Sequence, residues 1–229
     1  MSLTASADRD ITPVPPGSKL ILISLLGDQL HLHHIGFSIF SNVKRDVDIS
    51  TWGIDNFTEN QAKQLIDKNH KFTSVTAGKE YRDKFGLMEI SKWNGTVSYK
   101  NQADGINALT EKETCDLIVL IKPAFNGVAF PNQQFLVYYG NGIYQDASFK
   151  EQGTAVNFSM IEILILDPKT RKVLSSVSDY ESSTRSTDVW MSDKSLTFDT
   201  YNEASTKTQV LALIKELLVK EFTKLQLIN

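Results

Sequence analysis

The patterned part of the chain opens at Lys19–Leu26 (KLILISLL), an almost unbroken apolar run of strand length. Such a run reads as a strand buried on both faces. Gly27-Asp28 then offers a turn. From Leu30 to Phe40 apolar and polar positions alternate, but the phase changes midway: Leu30 and Leu32 share one parity, while Ile35, Phe37 and Ile39 share the other. A regular strand cannot send both sets to one core, so a bulge or bend is expected near His33-His34-Ile35. Asn56-Phe57-Thr58-Glu59 has capping-box form, and Ala62, Leu65 and Ile66 follow at helical spacing, with Asn69 as a stop. A helix over about 57–68 and a strand over 70–76 are predicted. Residues 84–92 read as helix or loop, 95–99 as a short strand and 103–114 as a helix. That helix feeds the apolar strand 116–121, which Pro123 brings to an end.

The second half is strand-rich. Residues 133–139, 142–148 and 154–166 carry aromatic and β-branched side chains. Gly140-Asn141-Gly142 is a two-residue hairpin signal, because both residue types tolerate positive φ. Asp167-Pro168-Lys169-Thr170-Arg171-Lys172 is a second turn, from which 172–180 pairs back. The expectation is a meander of about four strands. Residues 181–206 are rich in Ser, Thr and Asp and read as a long loop or a strand excursion around Leu196-Thr197-Phe198. Thr206-Lys207-Thr208-Gln209 again has capping-box form. Val210, Leu213, Ile214, Leu217, Leu218, Phe222 and Leu225 then draw a wide apolar stripe along a helix of about 20 residues, roughly 30 Å long. The stripe is too broad for a two-stranded seam and suits the face of a sheet. The fold class expected is α/β (α+β): a single mixed sheet with an antiparallel meander, packed by helices that include the long C-terminal one. No internal repeat or domain boundary is visible, so 19–229 reads as one domain. Residues 1–18 are polar, carry Pro13, Pro15, Pro16 and Gly17, and read as an extended tether.

Composition narrows the functions. With 24 basic against 27 acidic residues the net charge is −3, and no basic run is present, so nucleic acid is not an expected partner. Cys115 is the single cysteine, which excludes an intrachain disulfide; before the run Asp116–Ile121 it reads as a buried structural thiol. No stretch approaches the roughly 18 apolar residues of a membrane span.

Candidate chemistry is sparse. Three of the 4 histidines stand in His31-Leu32-His33-His34. On a strand His31 and His33 point the same way, about 7 Å apart at Cα. Two imidazoles could serve a Zn²⁺ ion given a third ligand such as Asp28, Asp46 or Asp48. Asp28, His31 and His33 are therefore the candidate set for a metal-assisted hydrolase, although no HExxH-type spacing supports it. Ser24 with Asp28 and a histidine, or Ser38 within Gly36–Phe40, lacks the GxSxG form of a nucleophile elbow. Gly140-Asn141-Gly142 enters a strand rather than a helix, so it reads as a turn and not a phosphate cradle. Asp46-Val47-Asp48 reads as a solvated acidic turn before it reads as a cation site. Trp52, Trp93 and Trp190, with Phe130, Tyr138, Tyr139 and Phe149 beside turns, could anchor a protein partner or cap the core. No cofactor is implied. A small-ligand carrier with a pocket beside the meander is a further possibility.

From Asp116 onward the order of elements resembles a known plan. A helix runs into CDLIVLIKP, glycine-punctuated strands follow (FLVYYGNGIYQ), then a hairpin (IEILILDPKTRKVLSS) and a closing helix. This resembles the small α/β domain of bacterial envelope proteins of the TolB amino-terminal and curli-assembly-lipoprotein kind. The resemblance implies a domain that binds or assembles with other proteins, or with itself, and has no active site. It also implies a periplasmic or outer-membrane-tethered location. The turn at Gly27-Asp28 departs from it, since the family usually leads there toward a helix, and the resemblance assigns no site residues.

Overall fold

The computed structural model describes residues 13–35, 43–91, 96–112, 114–126, 138–146, 154–185 and 200–229. An eight-stranded mixed sheet is packed by helices on both faces. Among the described residues no helix is long and apolar enough to cross a membrane.

The sheet is organised by one long hairpin. Strands β11 (Thr154–Leu166) and β12 (Val173–Arg185) pair from Ala155 to Leu166. Their turn is the one the sequence indicates: the Asp167 carboxylate accepts the Lys169 N–H at 2.8 Å and Arg171 takes φ +58°. With β12 on one edge of β11, the other edge is divided. Strand β10 (Asn141–Asp146) pairs with Thr154–Ser159, and β7 (Leu117–Pro123) pairs with Ile161–Leu166. The two therefore lie end to end, and Met160 bridges the break, donating to Gly140 O and accepting from Ala124 N–H. The next row repeats the arrangement: β1 (Lys19–Ser24) runs parallel to β7, and β2 (Gln29–Ile35) runs parallel to β10. Outermost are β4 (Thr73–Thr76), parallel to β1, and β3 (Val43–Asp48), antiparallel to β2.

This layout corrects several local expectations. Gly27-Asp28 does not turn β2 back on β1; it bends the chain into a second segment of one row. Strand β2 keeps its register with β10 through Ile35, so no bulge interrupts His33–Ile35. The change of phase continues into 36–42, outside the described residues. Gly140-Asn141-Gly142 is not a hairpin: Gly140, at φ +63°, is a corner between β9 (Tyr138–Tyr139), which pairs with β8 (Phe125–Asn126), and β10. The consecutive antiparallel run is thus the three strands β10–β11–β12. Strand β12 continues to Arg185, five residues beyond the expected end, and the excursion near Leu196–Phe198 lies outside the described residues.

Helices cover the sheet on two sides. On one face α1 (Ile54–Asp67) and α4 (Thr200–Lys224) lie over Leu20, Leu22, Leu30, Leu32, Ile143, Ile161, Ile163 and Ile165. Every residue of the C-terminal stripe is buried, and all but Leu213 join that core. On the other face α2 (Lys79–Arg82), the hairpin β5 (Met88–Ser91)–β6 (Thr96–Tyr99) and α3 (Gln102–Lys112) cover Ile21, Ile23, Ile118, Leu120, Leu164 and Leu166. Buried Lys122 clamps that layer: its Nζ donates to Val97 O and pairs with Glu162 at 3.0 Å. Neither capping box caps. Helix α1 starts at Ile54 behind left-handed Gly53 (φ +63°), and Thr206–Gln209 lies inside α4. Asn69 does act as a stop, its side-chain N–H donating to Leu65 O at 3.0 Å.

Candidate functional site

The in-register partners of β2 fix what lies on each side of its half of the sheet. Leu30 and Leu32 enter the core under α4, so His31 and His33 point to the opposite face, as strand alternation requires. On that face β10 contributes Gly142 and Tyr144, and β3 contributes Lys44 and Asp46. Gly142 has no room for a side chain: a Cβ there would fall 2.3 Å from Phe158 Cζ and 2.4 Å from His31 O. The Phe158 ring consequently lies against the backbone, beside Tyr144, Met160 and Ala124.

Next to this small aromatic cluster is a cleft of about 440 Å³ lined by His31, His33, Lys44, Arg45, Asp46, Ile90 and Tyr139. Three separate parts of the chain converge on it: the β2–β3 hairpin, β5 and β9. His31 Nδ1–H donates to Asp46 Oδ1 at 2.7 Å, and its ring lies against Tyr139 with centroids 4.0 Å apart. Burial pushes the His31 pKa below its ordinary value, and Asp46 only partly offsets it. His33 is pushed down to about 4, first by burial and then by the positive charge of Lys44 and by His31. Both imidazoles are neutral at neutral pH. The site offers hydrogen-bonding groups, an aromatic wall and cations at its rim.

Asp28 is exposed and lines a neighbouring groove with Asp46, Asp48 and Ser50; the carboxylate hydrogen-bonded to His31 is that of Asp46. Asp48 accepts the Ser50 N–H at 2.8 Å. Among the described residues no three ligating side chains are grouped to hold a metal ion. Trp52 is buried and donates from Nε1 to Glu203 at 3.0 Å, which ties α4 to the start of α1. Cys115 is half-buried. Trp93, Trp190, Phe130, Phe149 and Ser38 lie outside the described residues.

Ser24 belongs to a different cluster. Its hydroxyl donates to Asp55 at 2.6 Å and its N–H donates to Glu59 at 3.0 Å. Asp55 also accepts the Leu26 N–H at 2.8 Å, and Arg82 pairs with Glu59 at 2.9 Å. Asp55 and Glu59 stand one helical turn apart on the face of α1 that meets the bend between β1 and β2, so the network holds the bend in place. The i, i+4 spacing of two carboxylates was legible; their buried partners were not. Desolvation pushes the Asp55 pKa up to about 6, against the hydrogen bonds and Arg82, which lower it. The folded state therefore holds that proton more tightly than the unfolded chain, whose Asp titrates near 3.9. The resulting stability is complete below about pH 4 and is lost as pH rises to about 6. Asp55→Asn keeps the acceptor oxygen without the charge. It is expected to flatten this slope and to be roughly 2 kcal/mol more stable than wild type at pH 7.5, as urea unfolding at pH 4.5 and 7.5 will show.

No family model and no curated protein matches the chain. Among solved structures it is similar to a Xanthomonas campestris protein of the DUF330 family, with 8% identity over 95% of this chain and 88% of that one and a TM-score of 0.42. It is similar to the PelC dodecamer subunit from Paraburkholderia phytofirmans (8% identity, 92% and 91% covered, TM-score 0.37). It is also similar to lipoprotein GNA1162 from Neisseria meningitidis (13% identity, 90% and 99% covered, TM-score 0.35). At these scores no functional conclusion passes from those proteins to this chain.

Proposed function

We propose that this chain is a non-enzymatic binding module whose recognition surface is the cleft formed by His31, His33, Lys44, Ile90 and Tyr139. One observation carries the reading. The His31–Asp46 pair has the hydrogen bond of an acid–base dyad but the opposite exposure: the imidazole side chain is 5% exposed and the carboxylate 52%. A working dyad buries its carboxylate and opens its imidazole to substrate. Here Tyr139 covers the imidazole, and solvent screens the carboxylate. An apolar wall with a few converging polar groups is what a binding cleft requires. The open rim, formed by exposed Lys44 and Asp46, suits a segment of a protein partner better than an enclosed small molecule. We place the protein in the bacterial envelope on the strength of the sequence resemblance described above.

A photo-crosslinking residue at Ile90 is expected to capture one discrete partner from an envelope extract, and the same residue at Lys215 on α4 is expected to capture none. Tyr139→Ala should remove the capture without unfolding the protein. Equal yields at the two positions would sink the reading, as would a hydrolytic activity lost on His31→Ala.

A further inference from the structure

The edge strand β3 carries a pattern that the cleft does not account for. The Ile49 N–H donates to Asp28 O at 2.8 Å, and Leu30 stands opposite Val47 and Leu32 opposite Arg45. In an antiparallel ladder hydrogen-bonded pairs alternate. Ile49, Val47 and Arg45 therefore turn their backbone groups toward β2, while Asp48, Asp46 and Lys44 turn theirs away from the sheet. Among the described residues no strand pairs with that outer edge. Lys44, Asp46 and Asp48 are also exposed and share one face.

Charges on an edge strand commonly discourage pairing. Here their order is self-complementary. We infer that β3 pairs antiparallel with β3 of a second copy of this chain, joining two sheets about a two-fold axis at Arg45. Outward-facing residues can pair only with outward-facing residues, so the register can shift only in steps that change partners by two. Centred on Arg45, Lys44 stands opposite Asp46 of the other copy, and Asp46 opposite its Lys44. Both are hydrogen-bonded positions, so each of these two pairs combines backbone bonds with opposite charges, the favourable cross-strand combination. A register centred on Lys44 sets Lys44 against Lys44, and one centred on Asp46 makes two Lys44–Asp48 pairs but sets Asp46 against Asp46 at its hydrogen-bonded centre. The interface is isologous and closes at two copies. Asp46 can serve both partners, because its Oδ1 accepts the His31 Nδ1–H and leaves Oδ2 for the lysine. Two Arg45 residues meet on the axis, and six residues of strand bury little area, so the dimer is weak and depends on concentration.

Sedimentation velocity at about 0.5 mM protein, where an interface of this size is populated, tests the pairing. Wild type is expected to show a reversible dimer, and K44D and D46K are each expected to be monomeric. An equimolar mixture of the two variants should dimerise one-to-one with an affinity comparable to wild type, because both 44–46 contacts again join unlike charges while each homodimer repels itself. K44P is the second variant: it removes only an outward N–H, which an edge strand tolerates, and should be folded and monomeric. A wild type that stays monomeric, a K44D that dimerises as wild type does, or a mixture that fails to associate would each overturn the inference. The cleft reading is tested at Ile90 and Tyr139 and stands or falls separately.

Discussion

Gly142→Ala is expected to destabilise the protein by about 3 kcal/mol or more, a larger loss than most overpacking substitutions produce. Strand β10 lies between β2 and β11, and the added methyl would meet a ring on one side and a main-chain oxygen on the other. The contacts are 2.3 Å to Phe158 Cζ and 2.4 Å to His31 O. A flexible side-chain tip could swing aside. Phe158, fully buried among Tyr144, Met160 and Ala124, cannot, and the His31 carbonyl moves only with its strand. Relief therefore means shifting β10 away from β2. Adding Phe158→Leu should recover part of the loss and not all of it, since the backbone contact remains. Urea midpoints of the single and double variants measure this; a Gly142→Ala protein within about 1 kcal/mol of wild type would show that the two strands are not this close.

Phe222→Ala is expected to cost about 3–5 kcal/mol, the range for deleting a large buried ring from a core that cannot collapse around the gap. Phe222 is 0% exposed, near the end of a stripe in which Val210, Ile214, Leu217, Leu218 and Leu225 are also 0% exposed. The helix end is held on both sides of it. Gln226 takes φ +57°, so the chain turns back, Leu227 donates to Phe222 O at 2.9 Å, and Leu227 and Ile228 bury against the same core. The ring is thus enclosed by sheet, helix and tail, with little freedom to repack. Val219, 40% exposed on the same helix, is the internal control: Val219→Ser should change stability by less than about 0.5 kcal/mol. Comparable losses at the two positions would mean that α4 does not lie on the sheet as described.

What the residue pattern alone determined were features whose cause lies within one short segment. The stripe from Val210 to Leu225 faces one way because of the helical period, and it is buried as that period requires. The apolar runs at Leu20–Ile23 and Leu117–Ile121 are strands covered on both faces, and Asp167–Lys172 turns one long strand back on the other. Lateral neighbours were decided by the tertiary structure alone. Alternation tells which side of a strand a residue occupies and carries no information on which strand lies beside it. Parallel pairing joins segments far apart in the chain: the Lys19 N–H meets Asp116, 97 positions away. Hence β1 and β2, or β7 and β10, could not be read as halves of single rows. His31 finds Asp46 across a strand pair while Asp28, nearer in sequence, faces solvent. Glu59, spaced to close a capping box at Asn56, instead lies in the second turn of a helix that starts at Ile54, and there it accepts the Ser24 N–H and pairs with Arg82, because buried groups at the bend need partners.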